Sequence, residues 1–314
     1  MIKMKTLVTG GAGFIGSHLV DLLLKKKFNV VVLDNLSTGR IENLKHCLDK
    51  IKFIQGDIRD FNLCLKALDG VDFVFHLAAL GSVPRSISEP ELSLGVNIQG
   101  TANIFSACVK KGIKKVVYAS SSSVYGDSKE LPKKEGKEGN PLSPYAYSKK
   151  SNEEVASLFN KIYGIDFIGL RYFNVYGPRQ SPDGPYAAVI PRFFKACLQF
   201  KSLEIYGDGK QTRDFTYVGD AVFANILALK AKKDGWNKNY NISGGNRVKI
   251  LDLANMIIKL CNVKLKVDFK PPRVGDILHS KADLSLSLKY LKYKPSISIE
   301  EGLKKSKDYY KIIF

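Results

Sequence analysis

The chain has 314 residues, 45% of them apolar and 25% charged, a balance that excludes a disordered or fibrous chain and leaves enough length for two lobes with full cores. No run approaches the ~18–20 apolar residues of a membrane span. The opening Met1-Ile2-Lys3-Met4-Lys5 carries neither a long apolar core nor a small-residue cleavage site, so neither a secretory leader nor a membrane partner is expected. Lys and Arg number 49 against 30 Asp and Glu, a formal charge of +19, but the lysines are spread along the whole chain, so a solvated basic surface is expected rather than a nucleic-acid partner.

The first half alternates short β-branched runs with longer helical patterns. Residues 6–9, 30–34, 52–55, 73–76, 116–120 and 167–172 read as strands, and 15–26, 92–111 and 147–163 as helices. This alternation predicts an α/β fold, a doubly wound parallel sheet with helices on both faces, whose ligands bind beyond the carboxyl ends of the strands. After about residue 176 Gly, Pro and Asp punctuate the chain and helical patterns are fewer. Residues 1–176 are therefore expected to form a dinucleotide-binding domain and 177–314 a smaller mixed α/β lobe, part of which returns to the first sheet. A last helix is expected from Ser298, with Glu301 completing a capping box. Five isolated cysteines and four scattered histidines offer no metal cluster or disulfide framework, so a reducing cytoplasm is the expected home.

Residues 9–16, Thr-Gly-Gly-Ala-Gly-Phe-Ile-Gly, join an apolar strand to an amphipathic helix. Gly10, Gly13 and Gly16 would let the backbone approach a pyrophosphate, which then meets the helix N-terminus at Phe14 and Ile15. Asp34 ends the second strand, where a carboxylate accepts ribose hydroxyls and repels a 2′-phosphate, favouring NAD over NADP. Asn35, Ser37, Thr38 and Gly39 follow it. Asp57 and Ile58 after the third strand are candidates for the adenine edge, and Leu77, Ala78 and Ala79 after the fourth would lie beside the dinucleotide.

Four serines, Ser120 to Ser123, follow the fifth strand. Tyr145 and Lys149 come a helix-length later, four apart and so on one helix face. A phenol of pKa ~10 is a poor base at neutral pH. An adjacent ammonium and an oxidised nicotinamide would both lower that value. A serine hydroxyl such as that of Ser121 can bridge substrate and phenolate, so the set suits proton removal from a secondary alcohol while hydride leaves for NAD. Alone, Tyr-x-x-x-Lys in a Lys-rich chain is an ordinary surface pair; the ordered combination is far more specific.

With these motifs the chain resembles the extended short-chain dehydrogenase/reductase family of nucleotide-sugar epimerases and dehydratases. The segments Ala79 to Ser86 and Arg179 to Pro191 are most similar to the UDP-N-acetylglucosamine 4-epimerases within it. The resemblance implies tightly held NAD, a C4 ketone, rotation of that ketone and return of hydride to its other face. It assigns Tyr145 as base, Lys149 as its partner on the nicotinamide ribose, and Ser121 as the catalytic hydroxyl. Ser82, Ser122 and Ser123 fall on the substrate wall, Phe173 beside the nicotinamide, and Asn174 beside the substrate phosphate. Ala188, Val189, Arg213, Arg273 and Asp276 fall on the uridine diphosphate. Dehydratases and decarboxylases of the family carry acidic residues where this chain has Ser122 and Ser123, so epimerisation is the implied reaction. Ser280 stands where glucose-restricted members have Tyr, leaving room for an N-acetyl group. The implied substrate is UDP-GlcNAc or UDP-GalNAc, with UDP-glucose and UDP-galactose also admitted. A UDP-hexuronic acid met by Arg85 is the nearest alternative. A dehydratase and a non-enzymatic nucleotide-binding protein stand behind it. Pairing of helices 92–111 and 147–163 between two copies implies a homodimer.

Overall fold

The computed structural model describes residues 4–183, 187–272 and 278–314. Its strands are β1 (Lys5–Thr9), β2 (Asn29–Asp34), β3 (Ile51–Gln55), β4 (Phe73–His76), β5 (Lys115–Ser121), β6 (Asp166–Tyr172), β7 (Val175–Tyr176), β8 (Leu203–Tyr206), β9 (Thr212–Asp214), β10 (Thr216–Tyr217), β11 (Lys238–Ile242), β12 (Arg247–Lys249) and β13 (Val267–Lys270). Seven of them form one parallel sheet in the order β11-β6-β5-β4-β1-β2-β3. The chain leaves β1 in both directions, so a crevice opens between the carboxyl ends of β1 and β4, where this topology holds its ligands.

Both sheet faces are buried. Leu7, Val31, Val74, Val116 and Phe167 enter one core, while their neighbours Val8, Val32, Phe75, Val117 and Ile168 enter the other. Continuous apolar strands are what a parallel sheet covered on both sides requires. The helices are α1 (Phe14–Lys25), α2 (Phe61–Ala67), α3 (Val83–Ser88), α4 (Pro90–Leu94), α5 (Gly100–Lys110), α6 (Pro144–Tyr163), α7 (Val189–Leu198), α8 (Val218–Leu229), α9 (Ile250–Cys261) and α10 (Ile299–Ile313). Helix α1 shares its core with α8, and α5 packs with α2 and α6 on the other face.

The long helix expected over 92–111 is a composite: α4, a π-turn at Gly95–Gln99, and α5. Asn97, inside that turn, donates to the Leu80 carbonyl (3.2 Å) and Ser148 Oγ (3.0 Å), and its Oδ1 accepts from the Leu80 N–H (2.8 Å), tying the helix to the loop after β4. Helix α6 starts at Pro144, three residues before the expected point, because Ser143 caps it through the Ala146 N–H (3.1 Å). Ser298 caps α10 through the Glu301 N–H (3.2 Å).

Among the described residues, α7 to α10 lie beyond residue 176, four α-helices against six before it. Helix α8 and β11 belong to the main sheet. A third core gathers α7, α9 and α10 around Phe193, Phe194, Leu253 and Tyr310, forming the second lobe. All five cysteines are free thiols. Among the described residues no helix is long and apolar enough to cross a membrane.

Candidate active site

The crevice at the sheet's carboxyl edge is a cavity of about 580 Å³ that joins a second of about 280 Å³; both are lined by Asn174, Val175, Gln180 and Ala188. The floor of the larger one is the turn between β1 and α1. Gly10 has φ +69°, and a Cβ there would meet the Ala78 backbone at 2.8 Å; a Cβ on Gly16 would stand 2.0 Å from the Gly10 carbonyl oxygen. Only glycine lets β1, α1 and the β4 loop close up this tightly. The result is a helix N-terminus opening on the cavity, with Gly13, Phe14 and Ile15 on its wall and no acidic residue in its first turn.

Asp34, 7% exposed, lies at the cavity edge, where its carboxylate accepts from the Ala12 N–H (2.9 Å) and Leu36 N–H (2.8 Å). Burial pushes its pKa up and these backbone donors pull it back. A carboxylate has about four acceptor positions, so two hydrogen bonds leave capacity for a ribose diol. Asn35, Ser37, Thr38 and Gly39 line the same edge. Cradle, helix terminus and acceptor together fit a dinucleotide: Gly10 to Gly16 for the pyrophosphate, Asp34 for the adenosine ribose.

Two expected cofactor contacts lie elsewhere. Asp57 is outside the cavity lining, between Gly56 and Ile58, which belong to it. Its carboxylate accepts from Arg59 Nε (3.0 Å) and Nη2 (2.8 Å) and from Asn35 Nδ2 (2.9 Å), and the Arg59 hydrogen bonds hold its pKa at about 2. Phe173 is 1% exposed and packs with Val124, Tyr125 and Ala282; Tyr172 and Asn174 reach the cavity in its place. Leu77, Ala78 and Ala79 line it as expected, whereas His76 is buried between Thr9 Oγ1 (2.7 Å) and Thr101 Oγ1 (2.9 Å).

Ser121, Ser122, Ser123, Tyr145 and Lys149 line the same cavity. Ser121 ends β5, and its hydroxyl accepts from the Ser123 N–H (3.1 Å), fixing the turn that carries the other serines. Ser123 Oγ is buried without a protein partner. Lys149 is 3% exposed, and its Nζ donates to the Ala119 carbonyl (2.9 Å) and lies 6.0 Å from the Tyr145 ring centroid. Burial lowers the Lys149 pKa to about 8, opposed by the negative charge of Glu153. The expected depression of the Tyr145 pKa is not a property of the protein alone: burial pushes the phenol up, and the hydrogen bond with Ser121 is what opposes it.

In the second lobe, Ala188 and Val189 lie at the start of α7 and Arg213 on β9, all lining the smaller cavity. Sequence reasoning missed Gln180, Arg192, Tyr206 and Gln211 on its wall. Arg192 lies 5.5 Å over the Tyr206 ring and 3.3 Å from Glu204. These residues come from separated segments with no local motif. Ser82 caps α3 through the Arg85 N–H (3.2 Å) and Ser280 donates its N–H to Thr212 (3.1 Å); neither lines either of these two cavities. Arg273 and Asp276 lie outside the described residues.

The model of the NAD dependent epimerase/dehydratase family matches residues 6–243. A relative from Methanocaldococcus jannaschii named a putative UDP-glucose 4-epimerase is 41% identical over 301 residues, covering 95% of this chain and 96% of that one. Among solved structures, the UDP-N-acetylglucosamine 4-epimerase of Methanobrevibacter ruminantium M1 in complex with UDP-N-acetylmuramic acid superposes with a TM-score of 0.95 at 41% identity, covering 100% of both chains. The UDP-glucuronic acid 4-epimerase of Bacillus cereus, in complex with UDP-glucuronic acid and NAD, gives 0.92 at 36% identity, covering 99% of this chain and 100% of that one.

Proposed function

The chain belongs to the NAD-dependent epimerase/dehydratase family, with NAD as its cofactor, and from that premise we propose that it inverts C4 of a UDP-hexose, UDP-GlcNAc and UDP-GalNAc first, through a transient 4-keto sugar. The observation that carries this reading is the shared cavity: Ser121, Tyr145 and Lys149 line it together with the glycine turn and Asp34.

Gly10 to Gly16 and Asp34 would hold the dinucleotide, with the Lys149 ammonium at its nicotinamide ribose. Bound there, the oxidised nicotinamide would supply a reversible hydride acceptor and a positive charge. Tyr145 Oη, as phenolate, takes the proton of the sugar C4 hydroxyl and returns it to the opposite alkoxide. The Ser121 hydroxyl donates to the sugar O4 and keeps it within reach of that phenolate. Ser122 and Ser123 offer hydroxyls to the hexose; they supply no acid–base carboxyl pair, which supports epimerisation over water elimination. The smaller cavity takes the UDP half, with Arg213 as a forked donor to the diphosphate and Asn174 at the junction.

A UDP-hexuronic acid is the second reading. The 36% identity to the Bacillus cereus enzyme supports it, as does Arg85, which follows the cavity residues Val83 and Pro84. Exposed apolar side chains on α6, namely Tyr147, Leu158, Ile162 and Tyr163, support a homodimer built on that helix.

The test is incubation of the purified protein, without added cofactor, with UDP-GlcNAc, UDP-glucose and UDP-glucuronate separately, products being followed by NMR. C4 epimers with no net NADH are expected. Loss of water or carbon dioxide, or no reaction with any of the three, refutes the proposal. Tyr145→Phe should nearly abolish turnover while NAD stays bound.

A further inference from the structure

Behind the Tyr145–Lys149 pair lies a buried acid that the reaction does not consume. Residues 145, 149 and 153 follow at intervals of four on α6, so they form one stripe running from the cavity inward. Glu153 is 8% exposed and fully engaged. Ser120 and Arg171 are paired in register on β5 and β6, and both turn to it. Ser120 Oγ donates to Glu153 Oε1 (2.6 Å), while Arg171 grips both oxygens, Nε to Oε1 (2.8 Å) and Nη2 to Oε2 (2.6 Å). Arg171 in turn donates to Tyr125 Oη (3.1 Å) and to Glu138.

We propose that Glu153 is a positioning residue, held by Ser120 and Arg171 so that its negative charge keeps the buried Lys149 side chain an ammonium at the pH where Tyr145 must work. The inference rests on the role given above to Tyr145 and Lys149. A fixed carboxylate in a low-dielectric interior stabilises a nearby cation far more than one in water would. The groups facing Lys149 leave Glu153 alone in this part. Among the described residues, β5 offers the neutral carbonyl of Ala119 and the hydroxyls of Ser120 and Ser121. His76 on β4 is kept neutral by burial, its pKa lowered to about 3. Tyr145 on α6 is raised by its own burial, and the Arg171 cation on β6 bridges two carboxylates, Glu138 and Glu153, so that the three groups together keep one net negative charge. Burial works against the Lys149 charge and Glu153 works for it.

The experiment compares pH profiles of turnover for the NAD-loaded wild type and Glu153→Gln. The alkaline limb should move to lower pH by about one unit, the scale of one close opposite charge, with turnover largely kept on the acid side. A limb in the wild-type position, with activity lowered evenly at every pH, makes Glu153 a structural residue only and overturns the proposal. Glu153→Asp keeps the charge and should restore the wild-type limb. Should Glu153→Gln fail to fold because Arg171 is orphaned, the triple variant Glu138→Gln/Glu153→Gln/Arg171→Met, which leaves neither an unpaired arginine nor an unpaired carboxylate in the cluster and still removes one net negative charge, takes the same test with the same expected direction. Tyrosinate absorbance of the NAD-loaded protein, with Tyr145→Phe as blank, separates the two readings. A Tyr145 ionisation displaced to higher pH by Glu153→Gln in a protein that epimerises no UDP-sugar supports Glu153 and refutes the epimerase. An unmoved ionisation in an active epimerase refutes Glu153.

Discussion

Replacing Gly16 by Ala tests the cradle with one methyl group. The new Cβ would stand 2.0 Å from the Gly10 carbonyl oxygen, 2.8 Å from its carbon and 2.9 Å from Gly11 Cα. A carbon–oxygen contact settles at about 3.3 Å, so α1 and the turn must separate by about 1.3 Å. No side chain can give way, because all three neighbours are backbone. Nor is Gly10 free to retreat: its N–H donates to Leu33 (2.9 Å), its carbonyl accepts from Gly13 (3.1 Å), and Ala78 closes its other side. Overpacking of this kind costs about 1–3 kcal/mol of stability, and a displacement of order 1 Å at a binding helix lowers turnover by roughly 10²-fold. Thermal melts read the first effect and turnover assays the second, and calorimetric titration reads NAD binding itself. Gly95→Ala is the control: no atom lies within 4 Å of its Cβ and its φ of −59° is helical, so it should gain about 0.5–1 kcal/mol. A Gly16→Ala protein that melts and binds NAD like the wild type would refute the reading of this turn as a cradle.

Three further outcomes are expected. Asp34→Asn should lower the preference for NAD over NADP by roughly tenfold, the worth of a charge-assisted hydrogen bond; competitive titration of the two cofactors checks it, and an unchanged ratio removes Asp34 from that role. Asp214, buried at the Ala282 N–H and Ser243 Oγ, has its pKa raised from 3.8 to about 6 by burial. The folded state then binds more protons than the unfolded one across that window. Relative to Asp214→Asn, the wild type should lose about 3 kcal/mol of stability as pH rises from 3.8 to 6; parallel denaturation curves at pH 4 and 7 would contradict this. Ser280 lines neither cavity, so Ser280→Tyr should leave the ratio of UDP-GlcNAc to UDP-glucose turnover unchanged; a selective loss with UDP-GlcNAc would reinstate the size argument for the N-acetyl group.

Strands β1, β2, β4, β5 and β6 were legible because both their faces are buried, which leaves runs rich in Val, Ile, Leu and Phe; the edge strand β3, Ile-Lys-Phe-Ile-Gln, is only half-buried and was legible in its β-formers. Strand β11 was not, since Lys-Asn-Tyr-Asn-Ile is poor in β-formers. It is held by contacts invisible locally: Tyr118 Oη on Asn239 (2.7 Å) and Glu135 accepting from the Asn241 N–H (2.8 Å). Helix α8 lacked a 3.6-residue signal because it is sandwiched and apolar on nearly every side. In the site, the glycine turn, Asp34 and the Tyr145/Lys149 spacing are local and were readable. Gln180 was not, because its placement depends on a loop locked by a contact distant in sequence, where Arg179, at φ +65°, pairs with Asp21 of α1 (2.8 Å). Glu153 escaped notice for the opposite reason: an acid four residues beyond a lysine on a helix reads as an ordinary surface pair, and only the buried Arg171 beneath it gives it another meaning.

One physical tension unites these residues. A dry cavity strengthens every charge interaction within it, yet the same dryness drives each ionisable member toward neutrality: Tyr145 upward and Lys149 down to about 8. A phenolate–ammonium pair therefore cannot rest on proximity alone. The phenolate needs support, which the Ser121 hydroxyl gives until the sugar O4 claims it and the positive charge of the cofactor ring would give thereafter. That same ring repels the ammonium, so a pair tuned only for Tyr145 would lose Lys149. A carboxylate placed behind the lysine, away from the ring and locked by Arg171, opposes this without competing for the sugar. The order along α6, base at the cavity, cation behind it and acid deepest, is the one that lets both charges persist where water is excluded.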